Sequence, residues 1–204
     1  MADTAIDAIR DRTREVHAQL ELAVENLRLL ESQRGLTAHL QTLLHHHRAT
    51  AHYVTQPDLR ALVVNRIDEL VSDLNHLCGC VVPDCARIGA MPLSLAQSLG
   101  WTYVVEGSRL GALVIAKRLE RAGVQTEHLR SIGGEPPLVA RRWRSFTQRL
   151  NVLPQETWSE AASAASRSFS LLLGSYQQLR ETGHLQNQSG GGWVIPSRYD
   201  AGSH

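Results

Sequence analysis

The chain has little of what marks a membrane, secreted or nucleic-acid-binding protein. No apolar run approaches the roughly 18 residues needed to span a bilayer. The first residues, MADTAIDAIRDRTREV, carry acidic side chains and no apolar core, unlike a secretory signal. The formal net charge of the 204 residues is only +1, whereas a general nucleic-acid binder shows a basic excess. These absences predict a cytoplasmic protein with no membrane span and no nucleic-acid partner.

Cysteine is scarce, and its three copies are clustered. An odd, clustered set does not form a disulfide framework, so a reducing compartment is the default. The three lack the paired CxxC spacing of zinc ribbons, and the five histidines of the second predicted helix scatter around it instead of sharing one face. We therefore expect no metal cluster at either place. The residues concerned are Cys78, Cys80 and Cys85, and His39, His45, His46, His47 and His52.

Apolar residues recur at steps of three and four along most of the chain, a spacing typical of amphipathic helices. Hydrophobic residues make up 43% and charged residues 20% of the sequence, as in a globular protein. The pattern predicts an all-α, single-domain protein over residues 1–183, with a loop over 78–92 and a flexible tail over 184–204. The fourth helix should begin after an N-cap at Ser94 and end at Gly123. The predicted helices cover about 6–27, 36–54, 58–74, 94–123, 136–150 and 156–180.

Two glycines lie four residues apart inside the fourth predicted helix. Gly107 and Gly111 share one face, and each costs about 1 kcal/mol of helix stability relative to alanine. One interpretation is close packing against another helix. The other is that a flat ligand lies against the bare backbone, beside the polar side chains of Ser108 and Arg109. Both interpretations are open at the level of the sequence.

His17, in the stretch TREVHAQLE, falls within the apolar stripe of the first predicted helix. A single inward histidine is most often a core residue. Glu21, however, lies one turn further along the same face, and a metal-binding histidine usually donates its other ring N–H to a carboxylate or carbonyl. One histidine cannot make a zinc site, which needs three or four ligands. It is sufficient for haem, since the porphyrin fills the equatorial positions of the iron.

Four stretches of the chain carry a resemblance to a known family. TREVHAQLE resembles the proximal helix of the haem oxygenases, and YVVEGSRLGALVIAKRL resembles their distal helix. The second stretch is most similar to the EGSxLGG pattern of the bacterial form that accompanies bacteriophytochromes. RRWRSFTQRL and EAASAASRSFSLLL resemble the last two helices of the family. The resemblance runs in order over about residues 6–180.

The resemblance implies a helical bundle with haem between a proximal helix and a glycine-containing distal helix. His17 would be the iron ligand, with Glu21 as its partner. On the distal side, the haem and its oxygen would meet the catalytic segment formed by Gly107, Ser108 and Gly111. The other residues expected to bind the cofactor, the arginines through the haem carboxylates, are Arg10, Tyr103, Arg141 and Arg144.

Three features depart from the family pattern. Ala112 replaces a second glycine, but its Cβ should point about 100° away from Gly111, so we expect it to be tolerated. Ser108 stands where the mammalian branch has an aspartate that orders distal water, as in the phytochrome-associated branch. The run of three histidines over 45–47 lies where the family often has an aromatic residue.

The function implied by the resemblance is oxidative cleavage of haem b, which would be both substrate and cofactor. The reaction would use O2 and an external electron donor (ferredoxin, a reductase or ascorbate) and release biliverdin, carbon monoxide and ferrous iron. A bacteriophytochrome would be a candidate acceptor of the biliverdin. The alternative is a non-enzymatic module of the same fold, such as a haem carrier, a sensor or a domain without haem. A third class is a helical enzyme of the same scaffold with a different ligand.

Overall fold

The computed structural model describes residues 3–79 and 92–181, and every regular element within those ranges is helical. The prediction of an all-α chain with six helices is confirmed. Of the described helices, none combines the length and the apolar character needed to cross a bilayer. The predicted loop over 78–92 falls almost wholly outside the described residues, and the predicted tail falls wholly outside them. The helices are α1 (Ala5–Asn26), α2 (Gln33–Tyr53), α3 (Pro57–Cys78), α4 (Leu95–Arg121), α5 (Pro136–Asn151) and α6 (Trp158–Glu181), the last preceded by a 3₁₀ turn at Gln155–Thr157.

The helix ends follow from local chemistry. Ser94 caps α4, as predicted: its hydroxyl accepts from the backbone N–H of Gln97, and the Gln97 side chain accepts from the N–H of Ser94. This capping box satisfies two N–H groups that a helix start leaves without partners. Pro57 and Pro136 occupy first turns, where a missing N–H costs nothing. Gly123 adopts a φ of +79° just after α4, a conformation that favours glycine.

Helix α6 lies at the centre of the bundle, packed against both α1 and α4, while α2 and α3 form a second pair. α1 and α6 run parallel, because His17 contacts Phe169 and the C-terminal ends of the two helices line one groove. α2 and α3 run antiparallel, since the Gln33 side chain at the start of one donates to the Leu77 carbonyl at the end of the other. The fully buried leucines of the core include Leu36, Leu40, Leu44, Leu59, Leu70, Leu74, Leu99 and Leu119.

The α4–α6 crossing is tightest at Gly100. A Cβ at this position would lie 2.2 Å from the carbonyl oxygen of Ala161 and 2.9 Å from the Cβ of Ala164. No side chain fits there, so the crossing of these two helices requires glycine at position 100. The sequence pattern offers Gly107 and Gly111, not Gly100, as candidates for a helix crossing. They lie two and three turns further along α4.

Three histidines of α2 are buried, and each has a polar partner. The Nδ1 atom of His39 lies 2.8 Å from the hydroxyl of Tyr176 on α6. His46 and His47 contact each other through their Nδ1 atoms at 3.0 Å. Burial lowers the pKa of His39 and of His46 from the usual 6.5 to about 4, and it also lowers the pKa of His47. All three are therefore neutral in the folded protein at neutral pH.

The buried histidines should make the folded state sensitive to acid. Between pH 6.5 and 4 these histidines bind protons in the unfolded chain but not in the folded protein. The free energy of unfolding is therefore largest above pH 6.5 and falls as the pH drops toward 4. His39 and His46 each contribute on the order of 3 kcal/mol to this loss. Urea unfolding at pH 7.5, 6 and 5 measures it. His39→Gln should be less stable than wild type at pH 7.5 but should show a shallower decline. A stability that does not change across this range would contradict the prediction.

Candidate functional site

His17 lies at the edge of the apolar stripe of α1. The half-buried Val16 and Leu20 face the core, whereas the His17 side chain is 50% exposed. The structure thus corrects the expectation of an inward histidine: the helical rotation of 100° from Val16 carries His17 to the boundary. Its ring meets the edge of Phe169 with 5.2 Å between centroids, and its Nδ1 lies 3.5 Å from Oε1 of Glu21. Glu21 therefore lies on the Nδ1 side of the ring, and Nε2 is the nitrogen further from it.

The face of α4 that carries Gly107 and Gly111, called the bare face from here on, is open. Among the described residues, no atom lies within 4 Å of the position that a Cβ would take at Gly111, and Gly111 is exposed. At Gly107 the nearest atoms belong to the Trp143 ring, at 4.0 Å. Neither glycine is required for a helix crossing, in contrast to Gly100. Ala112 is buried, so its side chain points away from the open face, as expected.

Tyr103 of α4 and Arg10 of α1 lie between the helix that carries His17 and the helix that carries the bare face. Tyr103 lies one turn before Gly107, and the Arg10 side chain of α1 lies near its hydroxyl. Burial raises the pKa of Tyr103, and the Arg10 contact acts in the opposite direction. The Tyr103 ring also contacts Trp143 at 5.4 Å and Phe169 at 6.4 Å between centroids. Phe169 contacts His17 as well. The rings of Phe169 and Tyr103 therefore connect His17 on α1 with the start of the bare face on α4.

Among solved structures, the chain matches the NO- and CO-bound haem oxygenase from Neisseria meningitidis, with a TM-score of 0.72 and 23% sequence identity over 97% of this chain and 98% of that one. The chain has the haem oxygenase fold. No family model matches it, and no curated protein matches it either. The similarity shows the fold alone, and membership of the phytochrome-associated branch stays a prediction.

Within this haem oxygenase fold, Arg109 does not lie beside the bare face. Its side chain is 9% exposed, and Nη1 donates to Oε1 of Glu69 on α3 at 2.7 Å. The expectation that Arg109 adds a polar group next to a ligand is therefore wrong. Position 109 lies about 200° around the helix from Gly107, which directs it toward α3.

A buried ion-pair network behind the bare face was not predicted from the sequence. Glu106, whose side chain is 1% exposed, accepts from Arg142 of α5 at 2.7 Å. Arg66 of α3 is 2% exposed and donates to Glu69, which also pairs with Arg109. The network holds α4 to α3 and α5 immediately around Gly107. The partners that join different helices are 36 and 40 residues apart in sequence, so no local pattern could have revealed them.

The remaining predicted arginines lie on the surface of α5. Arg141 and Arg144 are exposed and extend from the helix that carries Trp143. Their neighbour Arg142, which was not predicted as a site residue, is the one that pairs with Glu106. Within the described ranges, no three histidine, cysteine or acidic side chains are arranged to hold a metal ion. Cys80 and Cys85 lie outside those ranges.

Proposed function

We propose that the protein is a haem oxygenase, an oxygen-dependent oxidoreductase that cleaves haem b to biliverdin, carbon monoxide and ferrous iron with electrons from an external donor. The observation that carries the proposal is the open face of α4 at Gly111, where no described atom lies within 4 Å of the position that a Cβ would take. In the same fold, His17 is half-exposed with Glu21 at its Nδ1. A helix that gives up stability at two glycines without a packing need is explained by a flat ligand against its backbone.

The residues present fit a haem with one axial histidine. His17 would bind the iron through Nε2, since Glu21 lies beside the other ring nitrogen and would accept its N–H. The aromatic rings of Tyr103, Trp143 and Phe169 supply apolar surface for the porphyrin. Bound haem supplies both the iron that activates oxygen and the ring that is cleaved.

The residues of α4 would orient the bound ligand and hold a hydroxyl proton beside it. Gly107 and Gly111 keep side chains away from the distal side of the ligand. Ser108 lies between them in sequence; its Oγ donates to the Val105 carbonyl at 2.7 Å and approaches Nε2 of His47 at 3.4 Å. The segment Gly107–Gly111 is held from behind by the buried ion pairs, so the backbone presented to the ligand is rigid.

Arginine side chains at the rim would hold the haem carboxylates. Arg10 has 57% of its side chain exposed beside Tyr103, and Arg144 and Arg141 are exposed on α5. We expect Arg10→Glu and Arg144→Glu each to lower the affinity for hemin or to change which biliverdin isomer is formed, because a carboxylate would repel a propionate. Hemin titration and chromatography of the bilins measure both. Arg12→Glu, an exposed reversal two residues along α1, is the control. Unchanged affinity and isomer pattern in both variants would place these arginines outside the site.

The test of the proposed function is hemin titration followed by reduction. Purified protein should bind hemin with a shifted Soret band, and addition of ascorbate under oxygen should replace that band with the spectrum of biliverdin. A stable Soret complex that is not consumed would favour a haem carrier or sensor of the same fold. No Soret shift at all would favour a different ligand. The physiological donor would be a ferredoxin or a reductase, and a bacteriophytochrome would be a candidate acceptor of the product in the cytoplasm.

A further inference from the structure

We propose that His46, held by Ser168, is a positioning residue for the distal side of the site: it fixes His47 in the tautomer whose Nε2 can accept a hydrogen bond from Ser108. The arrangement of the two histidines stands on geometry within the protein. Its consequence for turnover rests on the proposed haem oxygenase function.

The first step is the proton on His46. Its Nε2 lies 3.2 Å from the backbone carbonyl oxygen of Ser168 and 2.9 Å from the Ser168 hydroxyl oxygen. A carbonyl oxygen only accepts hydrogen bonds, so a lone pair on Nε2 would face another lone pair at close range. The carbonyl contact therefore assigns the proton to Nε2 of His46, and the Ser168 hydroxyl, which can donate or accept, then accepts from it as well. Ser168 is completely buried, and water cannot replace this contact at low cost.

The second step is the proton on His47. The two Nδ1 atoms lie 3.0 Å apart and both rings are buried, so one nitrogen must donate and the other accept. Burial keeps both imidazoles neutral by lowering the pKa of each. Because the single proton of His46 is on Nε2, its Nδ1 accepts, and Nδ1 of His47 donates. Nε2 of His47 is left with a lone pair.

The third step connects that lone pair with the distal side. Nε2 of His47 lies 3.4 Å from Oγ of Ser108. The Arg66 guanidinium, which donates to the same oxygen at 3.4 Å, cannot accept a proton. Ser108 thus receives a hydrogen bond from Arg66, while its own proton is directed to the Val105 carbonyl or to His47.

The contact to Ser168 also links the two sides of the site. Phe169, the next residue of α6, carries the ring that meets His17. One turn of α6 therefore positions both the imidazole on α1 and the pair of histidines on α2. Sequence reasoning did not identify this link, since the run of three histidines carries no signal of which ring faces which helix.

The arrangement can be tested without haem. Nitrogen-15 NMR of the apo-protein should show the proton on Nε2 of His46 and on Nδ1 of His47. In His46→Leu the acceptor for His47 is lost, and the His47 proton should move to Nε2; in His46→Asn a side-chain oxygen replaces it and the wild-type tautomer should persist. His39→Leu removes another buried histidine of α2 and should leave His47 unchanged. A wild-type His47 protonated on Nε2 overturns the proposal, whether or not the variants fold.

The consequence for function is tested on the hemin complex. His46→Leu should bind hemin within about threefold of wild type but shift the C–O stretching frequency of the ferrous carbon monoxide complex. Its single-turnover rate should fall by about 100-fold, the low end of what a positioned proton-transfer group contributes, and His46→Asn should restore most of it. An unchanged frequency and rate in His46→Leu would overturn the positioning role. Wild-type protein that has the expected tautomers but does not bind hemin would instead contradict the proposed function.

Discussion

Replacing His17 by alanine should abolish turnover of hemin while leaving the fold intact. The side chain is half-exposed and packs only against the edge of Phe169 and beside Glu21, so the free energy of unfolding should change by no more than about 0.5 kcal/mol. The axial ligand of the iron would be lost. Absorption spectra of the ferric complex should lose the histidine signature, and no biliverdin should form. Thermal unfolding of the apo-protein measures the stability in parallel.

The exposure of His17 makes a chemical rescue possible. Imidazole added to the buffer can enter the space left by the side chain, and it should restore a histidine-like spectrum in His17→Ala. His52→Ala, a substitution near the end of α2, should behave as wild type in every assay. A His17→Ala protein with the spectrum and the biliverdin yield of wild type would make His17 a surface residue and remove the basis of the proposed function.

Two glycine-to-alanine substitutions in the same helix should have opposite effects. In Gly111→Ala the new methyl group meets no described atom within 4 Å, so the apo-protein should gain up to about 1 kcal/mol from the higher helix propensity of alanine. The methyl group would project onto the bare face, and biliverdin formation should fall while hemin still binds. In Gly100→Ala the Cβ would lie 2.2 Å from the Ala161 carbonyl. The apo-protein should lose at least about 3 kcal/mol, the upper end of the usual cost of overpacking.

The pair is measured by thermal unfolding of both apo-proteins and by single-turnover spectra of the hemin complexes. Each substitution adds one methyl group to α4, so helix propensity is the same in both and the difference reports the surroundings. A destabilised Gly111→Ala protein with normal biliverdin yield would mean that the position is small for packing after all. A Gly100→Ala protein as stable as wild type would contradict the close crossing of α4 and α6.

The helices could be predicted because their signals are local. A three-to-four spacing of apolar residues, the Ser94 cap and the first-turn prolines each act within a few residues, and the structure agrees at nearly every boundary. His17 and the two glycines could also be singled out, since an imidazole beside a carboxylate and bare positions in a helix are visible in one stretch of sequence. The exposure of His17 could not be predicted from the sequence, because it depends on which side of α1 faces α6.

Distant pairings were the part of the site that sequence reasoning missed. Arg109 looked like a polar group beside a ligand, but Glu69 on another helix draws it to the opposite face. Arg142 looked no different from Arg141, yet of the two only Arg142 meets the buried Glu106. Gly100 carried no pattern of its own, and only the position of Ala161 shows why it must be glycine. In each case the deciding partner is more than 35 residues away.

The parallel pairing of α1 with α6 has a consequence for synthesis on the ribosome. Of the described helices, α1 is made before α6, the helix on which it packs, so its apolar stripe stays uncovered until the other five helices have been synthesised. Loop closure over such a separation is slow, and an uncovered stripe is prone to aggregation during that time. His17 and Phe169 meet only at the end of this process. A chain that stops before α6 would contain His17 but not Phe169, and the imidazole would lack the ring that it packs against in the complete fold.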